Sequence, residues 1–94
     1  MTDEDAQTAA AVEILQNALK ELADAYTEAL CCRKQQLKLE TEYEELAEKH
    51  KVNELTRDLQ RQDFRRSRLK IDGLLGKITR HRRIFTRKLN QLTT

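Results

Sequence analysis

Residues 12–29 read VEILQNALKELADAYTEA. Val12, Leu15, Leu19, Leu22, Tyr26 and Ala29 are separated alternately by three and four residues, so all six lie along one narrow face of a helix. This is the spacing of a coiled-coil seam, and a chain that keeps it is all-α rather than disordered, because a solvated polyampholyte has no reason to repeat apolar residues at a helical period.

Outward from this stretch the pattern changes quality. Leu30 and Leu37 sit one position to the side, and Leu39, Tyr43 and Leu46 resume the spacing in a shifted register that resembles a stutter. Beyond His50 and Asn53, Val52, Leu55 and Leu59 begin a weaker stripe that runs through Gln62 and Arg66 to Leu69. A second good seam closes the chain: Ile71, Leu75, Ile78, Phe85, Leu89 and Leu92, with Arg82 as its one charged member. The helix-interface residues expected from these stripes are Val12, Leu15, Leu19, Leu22, Tyr26, Tyr43, Leu46, Leu55, Leu59, Leu69, Ile71, Leu75, Ile78, Phe85, Leu89 and Leu92.

The punctuation between stripes is sparse. Thr2-Asp3-Glu4-Asp5 offers a capping oxygen and acidic side chains suited to the positive end of a helix dipole, so the first helix starts near there. From residue 6 to residue 72 there is neither Pro nor Gly, which predicts one long helix. Asp72-Gly73-Leu74-Leu75-Gly76 is the candidate break, since Gly costs about 1 kcal/mol against Ala inside a helix. A basic amphipathic helix over 77–92 would follow it. Two unmarked turns, near Cys31-Cys32 and near Lys49 to Asn53, are alternatives, because a helical hairpin needs only a few polar residues to reverse the chain. The expected architecture is a single coiled-coil domain over 1–94, either a helical hairpin or an oligomeric helical bundle.

Charge adds orientation. Residues 1–48 hold 12 acids and 4 bases, a net of −8, and residues 49–94 hold 4 acids and 14 bases, a net of +10, which together give the total of +2. An antiparallel arrangement lays the acidic segment on the basic one, whereas a parallel homodimer stacks like on like. Antiparallel self-contact is therefore favoured over parallel, with a helical partner of another kind equally compatible.

The basic half suggests a different function, phosphate binding through Arg61, Arg65, Arg68, Arg80, Arg82 and Arg83. No aromatic stacking set accompanies these arginines: Phe64 and Phe85 fall at apolar helical positions and read as core. The segment from Ile71 to Leu92 also has the pattern of a helix lying on an anionic membrane surface, but no apolar run approaches the roughly 20 residues that span a bilayer.

Catalytic patterns fail on inspection. Gly76-Lys77 with Thr79 lacks the preceding Gly of a phosphate-binding loop, and Glu42, Glu44 and Glu45 lie on an exposed helix with no cleft to separate their proton affinities. Cys31 and Cys32, with His50 and His81, lack zinc-type spacing, so neither a metal nor another cofactor is expected. Adjacent helical cysteines point about 100° apart and read as reduced packing residues. The acidic N-terminus does not resemble a secretory signal. In outline the chain is similar to short helical subunits that bundle together in vesicle-tethering, lysosome-positioning, kinetochore and related assemblies, a likeness of architecture that carries no motif. The expectation is a non-enzymatic scaffold or adaptor subunit of an intracellular complex, cytoplasmic or nuclear, with nucleic-acid binding and membrane-surface binding as alternatives.

Overall fold

The computed structural model describes residues 2–94, and among them the fold is all-α: helix α1 spans Asp3–Lys49 and helix α2 spans Glu54–Thr93. Thr2 caps α1, its Oγ1 accepting from the Asp5 N–H at 3.3 Å, and Asp3, Glu4 and Asp5 occupy the first turn.

The chain reverses between Lys49 and Glu54. The Val52 N–H donates to the Ala47 carbonyl at 2.9 Å and the Lys51 N–H to the Glu48 carbonyl at 3.2 Å, the paired bonds of a Schellman motif. Lys51 occupies the left-handed position with φ 54°, where Gly is the usual residue. Asn53 then caps α2: its Oδ1 accepts from the Thr56 N–H at 2.8 Å.

Of the three candidate turns, the structure uses the one near Lys49 to Asn53. The candidate break at Gly73-Gly76 does not occur, and α2 runs through both glycines with no positive φ. Likewise α1 continues through Cys31-Cys32. The reason is that two exposed glycines weaken a helix without stopping it, whereas two backbone hydrogen bonds and the Asn53 cap at 47–56 satisfy groups at the ends of both helices where they stop. The helix boundaries therefore fall at 3–49 and 54–93, not at 6–72 and 77–92.

The chain divides into two compact units, one comprising Met1–Thr27 with Gly76–Thr94 and the other Glu28–Leu75. In the first, the terminal unit, Val12, Leu15, Leu19, Leu22 and Tyr26 are half-buried, as are Phe85 and Leu89 from α2, while Ile78 is buried. Arg82 places its guanidinium 5.6 Å from the centre of the Tyr26 ring, so the one charged member of the C-terminal stripe still joins the seam through a cation–π contact.

The second, the turn unit, is an antiparallel helical hairpin. Glu44 meets Arg57 and Arg61, Tyr43 meets Phe64, Glu40 meets Arg68, and Arg33 meets Asp72. As the α1 number falls the α2 number rises, which is the signature of antiparallel packing. Tyr43 and Phe64 stand edge to face, centroids 5.5 Å apart at 78°, and Phe64 is buried, as are Ala29, Ala47 and Leu75 elsewhere in the unit.

Candidate helix-docking surface

The middle of the chain departs most from the expected stripes. On α1, Leu15, Leu22, Ala29, Gln36 and Tyr43 recur every seven residues, and all are buried or half-buried. This column crosses the region where Leu39 and Leu46 suggested a stutter. On α2 the inward stripe of the turn unit is Arg57, Gln60, Phe64, Ser67, Ile71 and Leu75, not Leu55, Leu59, Gln62, Arg66 and Leu69. Phe64 was legible in principle, because it lies one heptad before Ile71, and the good C-terminal seam extended backwards reaches it.

The inward face of the turn unit is thus partly polar, and its polar contacts follow one side. Arg61 grips Glu44 as a fork, Nε to Oε1 at 2.7 Å and Nη2 to Oε2 at 3.0 Å, while Arg57 Nη2 donates to the same Oε2 at 2.9 Å. Hydrogen bonds first from Arg61 and then from Arg57 hold the Glu44 carboxyl down to about 2, and Glu44 in turn raises both guanidiniums. Arg68 Nε lies 3.1 Å from Glu40 Oε1, and Arg33 Nε lies 3.3 Å from Asp72 Oδ1. Among the described residues, Gln36 Nε2, Glu40 Oε2 and Arg57 Nε are buried without a hydrogen-bond partner.

Apart from the inward Ile71 and Leu75, most large aliphatic residues of this unit are outside. Among its described residues Leu30, Leu37, Leu39, Leu46, Leu55, Leu59, Leu69 and Leu74 all keep between 42% and 72% of their surface exposed. Helical spacing sorts them. Leu37 shares the ion-paired side with Glu40 and Glu44, and Leu69 is two residues from the inward Ile71 and so faces away from α1. Leu39 and Leu46, seven apart on α1, are turned away from Glu40 and Glu44; Leu59 and Leu74 on α2 are two residues from the ion-paired Arg61 and Asp72 respectively. These four leucines line the side of the hairpin opposite the ion pairs. Cys32, one heptad before Leu39, extends the line, and both cysteines are free and exposed instead of packed.

Of the other expected interface residues, Val12, Leu15, Leu19, Leu22, Tyr26, Tyr43, Ile71, Leu75, Ile78, Phe85 and Leu89 all contribute to contacts within their own unit by their burial, whereas Leu46, Leu55, Leu59, Leu69 and Leu92 are exposed. The six arginines considered for phosphate do not form one set. Arg61 and Arg68 are engaged by carboxylates and Arg82 by the Tyr26 ring, while Arg65, Arg80 and Arg83 are exposed.

Two surface clefts of about 370 Å³ and 350 Å³ flank the ion-paired side; the first is lined by Glu40, Thr41, Glu44, Glu45, Glu48 and Arg57, the second by Asp58, Arg61, Gln62, Arg65 and Arg68. Neither brings together a nucleophile, a base and an oxyanion donor. Among the described residues no three or more of His, Cys, Asp and Glu are grouped to hold a metal ion, and no helix is long and apolar enough to cross a membrane. No protein family, curated protein sequence or solved structure matches the chain.

Proposed function

We propose that this protein is a non-catalytic helical scaffold or adaptor subunit that works by docking helices against the leucine-lined side of its turn unit. The observation that carries this reading is an inversion: eight leucines of the described turn unit are exposed while Gln36, Glu40, Arg57, Gln60 and Ser67 occupy its inward face. Burying apolar area is the main favourable term in folding and association, at about 25 cal/mol per Å². A unit that gives several of its inward positions to polar residues gains less from folding alone, and its outward leucines gain only when another surface covers them. Contiguous exposed apolar residues rimmed by charge are the mark of a protein contact. The free cysteines fit a reducing, intracellular compartment.

The test is site-specific photo-crosslinking in the cell that makes the protein, with a benzophenone side chain placed in turn at positions 39, 46, 59 and 74, and at Glu45 as an exposed control. Covalent adducts from the leucine positions, and none from position 45, are expected. Adducts no more frequent at the four leucines than at position 45 would overturn the reading.

A further inference from the structure

We infer that the occupant of the leucine-lined side is a second copy of this chain, packed so that α1 of one copy lies over α2 of the other. The inference rests on the docking reading and names its partner.

The chain exposes 7734 Å², against about 5,600 Å² expected for a compact monomer of its 11.0 kDa mass. The surplus, about 2,100 Å², exceeds the roughly 800 Å² per partner that a standard stable interface removes from water. The chain has ample surface to spare for an interface with a second copy.

Helix α1 carries 12 acids and 5 bases, a net of −7, and α2 carries 4 acids and 12 bases, a net of +8; Lys51 in the turn completes the total of +2. Within the turn unit the balance is even closer: residues 28–49 hold 6 acids and 4 bases, and residues 54–75 hold 4 acids and 6 bases, −2 against +2. Any partner that covers both helices must present a basic helix to α1 and an acidic helix to α2. A uniformly acidic or basic partner satisfies one and is repelled by the other, whereas a second copy satisfies both at once.

The symmetry follows from the same charges. A two-fold axis parallel to the helices sets α1 over the other copy's α2, so acidic faces basic and every neighbouring pair of helices is antiparallel. A two-fold axis across the helices sets α1 over α1, acidic on acidic. In the first arrangement Leu46 of one copy approaches the level of Leu59 of the other, since these residues already lie at corresponding heights in the hairpin, near the Glu44 to Arg61 contact.

Light scattering and sedimentation equilibrium on the purified chain, from low micromolar to near-millimolar concentration, test the inference. The expected mass is twice 11.0 kDa. Leu39→Gln with Leu46→Gln is expected to weaken the dissociation constant about 10- to 100-fold, with helical content by circular dichroism unchanged because both side chains are exposed in the single chain. Orientation is read by mixing two chains, both Cys31→Ser and Cys32→Ser, one also Leu46→Cys and the other Leu59→Cys. Oxidation should yield the mixed 46-to-59 disulfide in excess over 46-to-46. A helical species that stays at 11.0 kDa at the highest concentration, or a dimer that ignores the Leu39 and Leu46 changes, overturns the inference, as does a predominance of 46-to-46. Failure here with crosslinks to other proteins in the cell leaves the docking reading standing, and failure of both removes it.

Discussion

In the terminal unit Leu15, Leu19 and Leu22 of α1 and Ile78, Phe85 and Leu89 of α2 are all buried or half-buried; in the turn unit Leu39, Leu46, Leu59 and Leu69 are exposed, and Arg57, Glu40 and Gln36 point inward. Both units pair two helices, but the terminal unit turns more of its large aliphatic residues inward, with Ile14, Ile84 and Leu92 left exposed, than the turn unit, where Ile71 and Leu75 are inward. The terminal unit holds its pairing by apolar burial, which is non-directional. The turn unit instead fixes orientation and register through ion pairs, which are weak individually in water but discriminate strongly between alignments. Its large buried side chains are Phe64 and Leu75.

That contrast can be broken by truncation. Phe64→Ala should cost about 3–5 kcal/mol and should raise amide exchange first within 28–75, as followed by hydrogen exchange and urea denaturation. A loss under 1 kcal/mol would mean the turn unit does not depend on its aromatic contact. Ile78→Ala should cost about 2–4 kcal/mol, whereas Leu69→Ala, at a concentration where the chain is monomeric, should change stability by less than about 0.5 kcal/mol. Equal losses at the two sites would erase the difference between the units.

Smaller effects sharpen the comparison at its punctuation. Asn53→Ala removes the cap of α2 and should cost about 1 kcal/mol, while Lys51→Gly relieves the left-handed position and should stabilise by about 0.5–1 kcal/mol, both read from the thermal midpoint. Gly73→Ala and Gly76→Ala should each stabilise the isolated chain by up to about 1 kcal/mol, because a Cβ at either position meets nothing within 4 Å. Destabilisation there would mean that another surface approaches those glycines.

The smallest expected change is in acid. The Glu44 carboxyl is held at about 2 in the folded chain, below its ordinary 4.5, so its contribution is present above about 4.5 and is lost as pH falls through about 2. Glu44→Gln should flatten that part of the dependence of the urea midpoint on pH between those values. An unchanged slope would mean that the carboxylate is no better held folded than unfolded.

Several of these features were legible without coordinates and others were not. The helical class, the Thr2 cap, the seam from Val12 to Tyr26, the seam from Ile71 to Leu89 and the opposed charges of the two halves all follow from local spacing and composition, because helical periodicity and capping depend on residues a few positions apart. The turn at Lys49 to Asn53 was one of three candidates, and no Gly or Pro marked it, since Lys stands where Gly is usual. The inward face of the turn unit was beyond local reading. Leu55, Leu59 and Leu69 make as good an apolar stripe on α2 as Arg57, Phe64 and Ile71, and a helix alone has no inside. Only the pairing across the hairpin, Tyr43 against Phe64 and Glu44 against Arg57 and Arg61, decides which stripe turns inward, because that choice depends on residues 13 to 21 positions away in the chain.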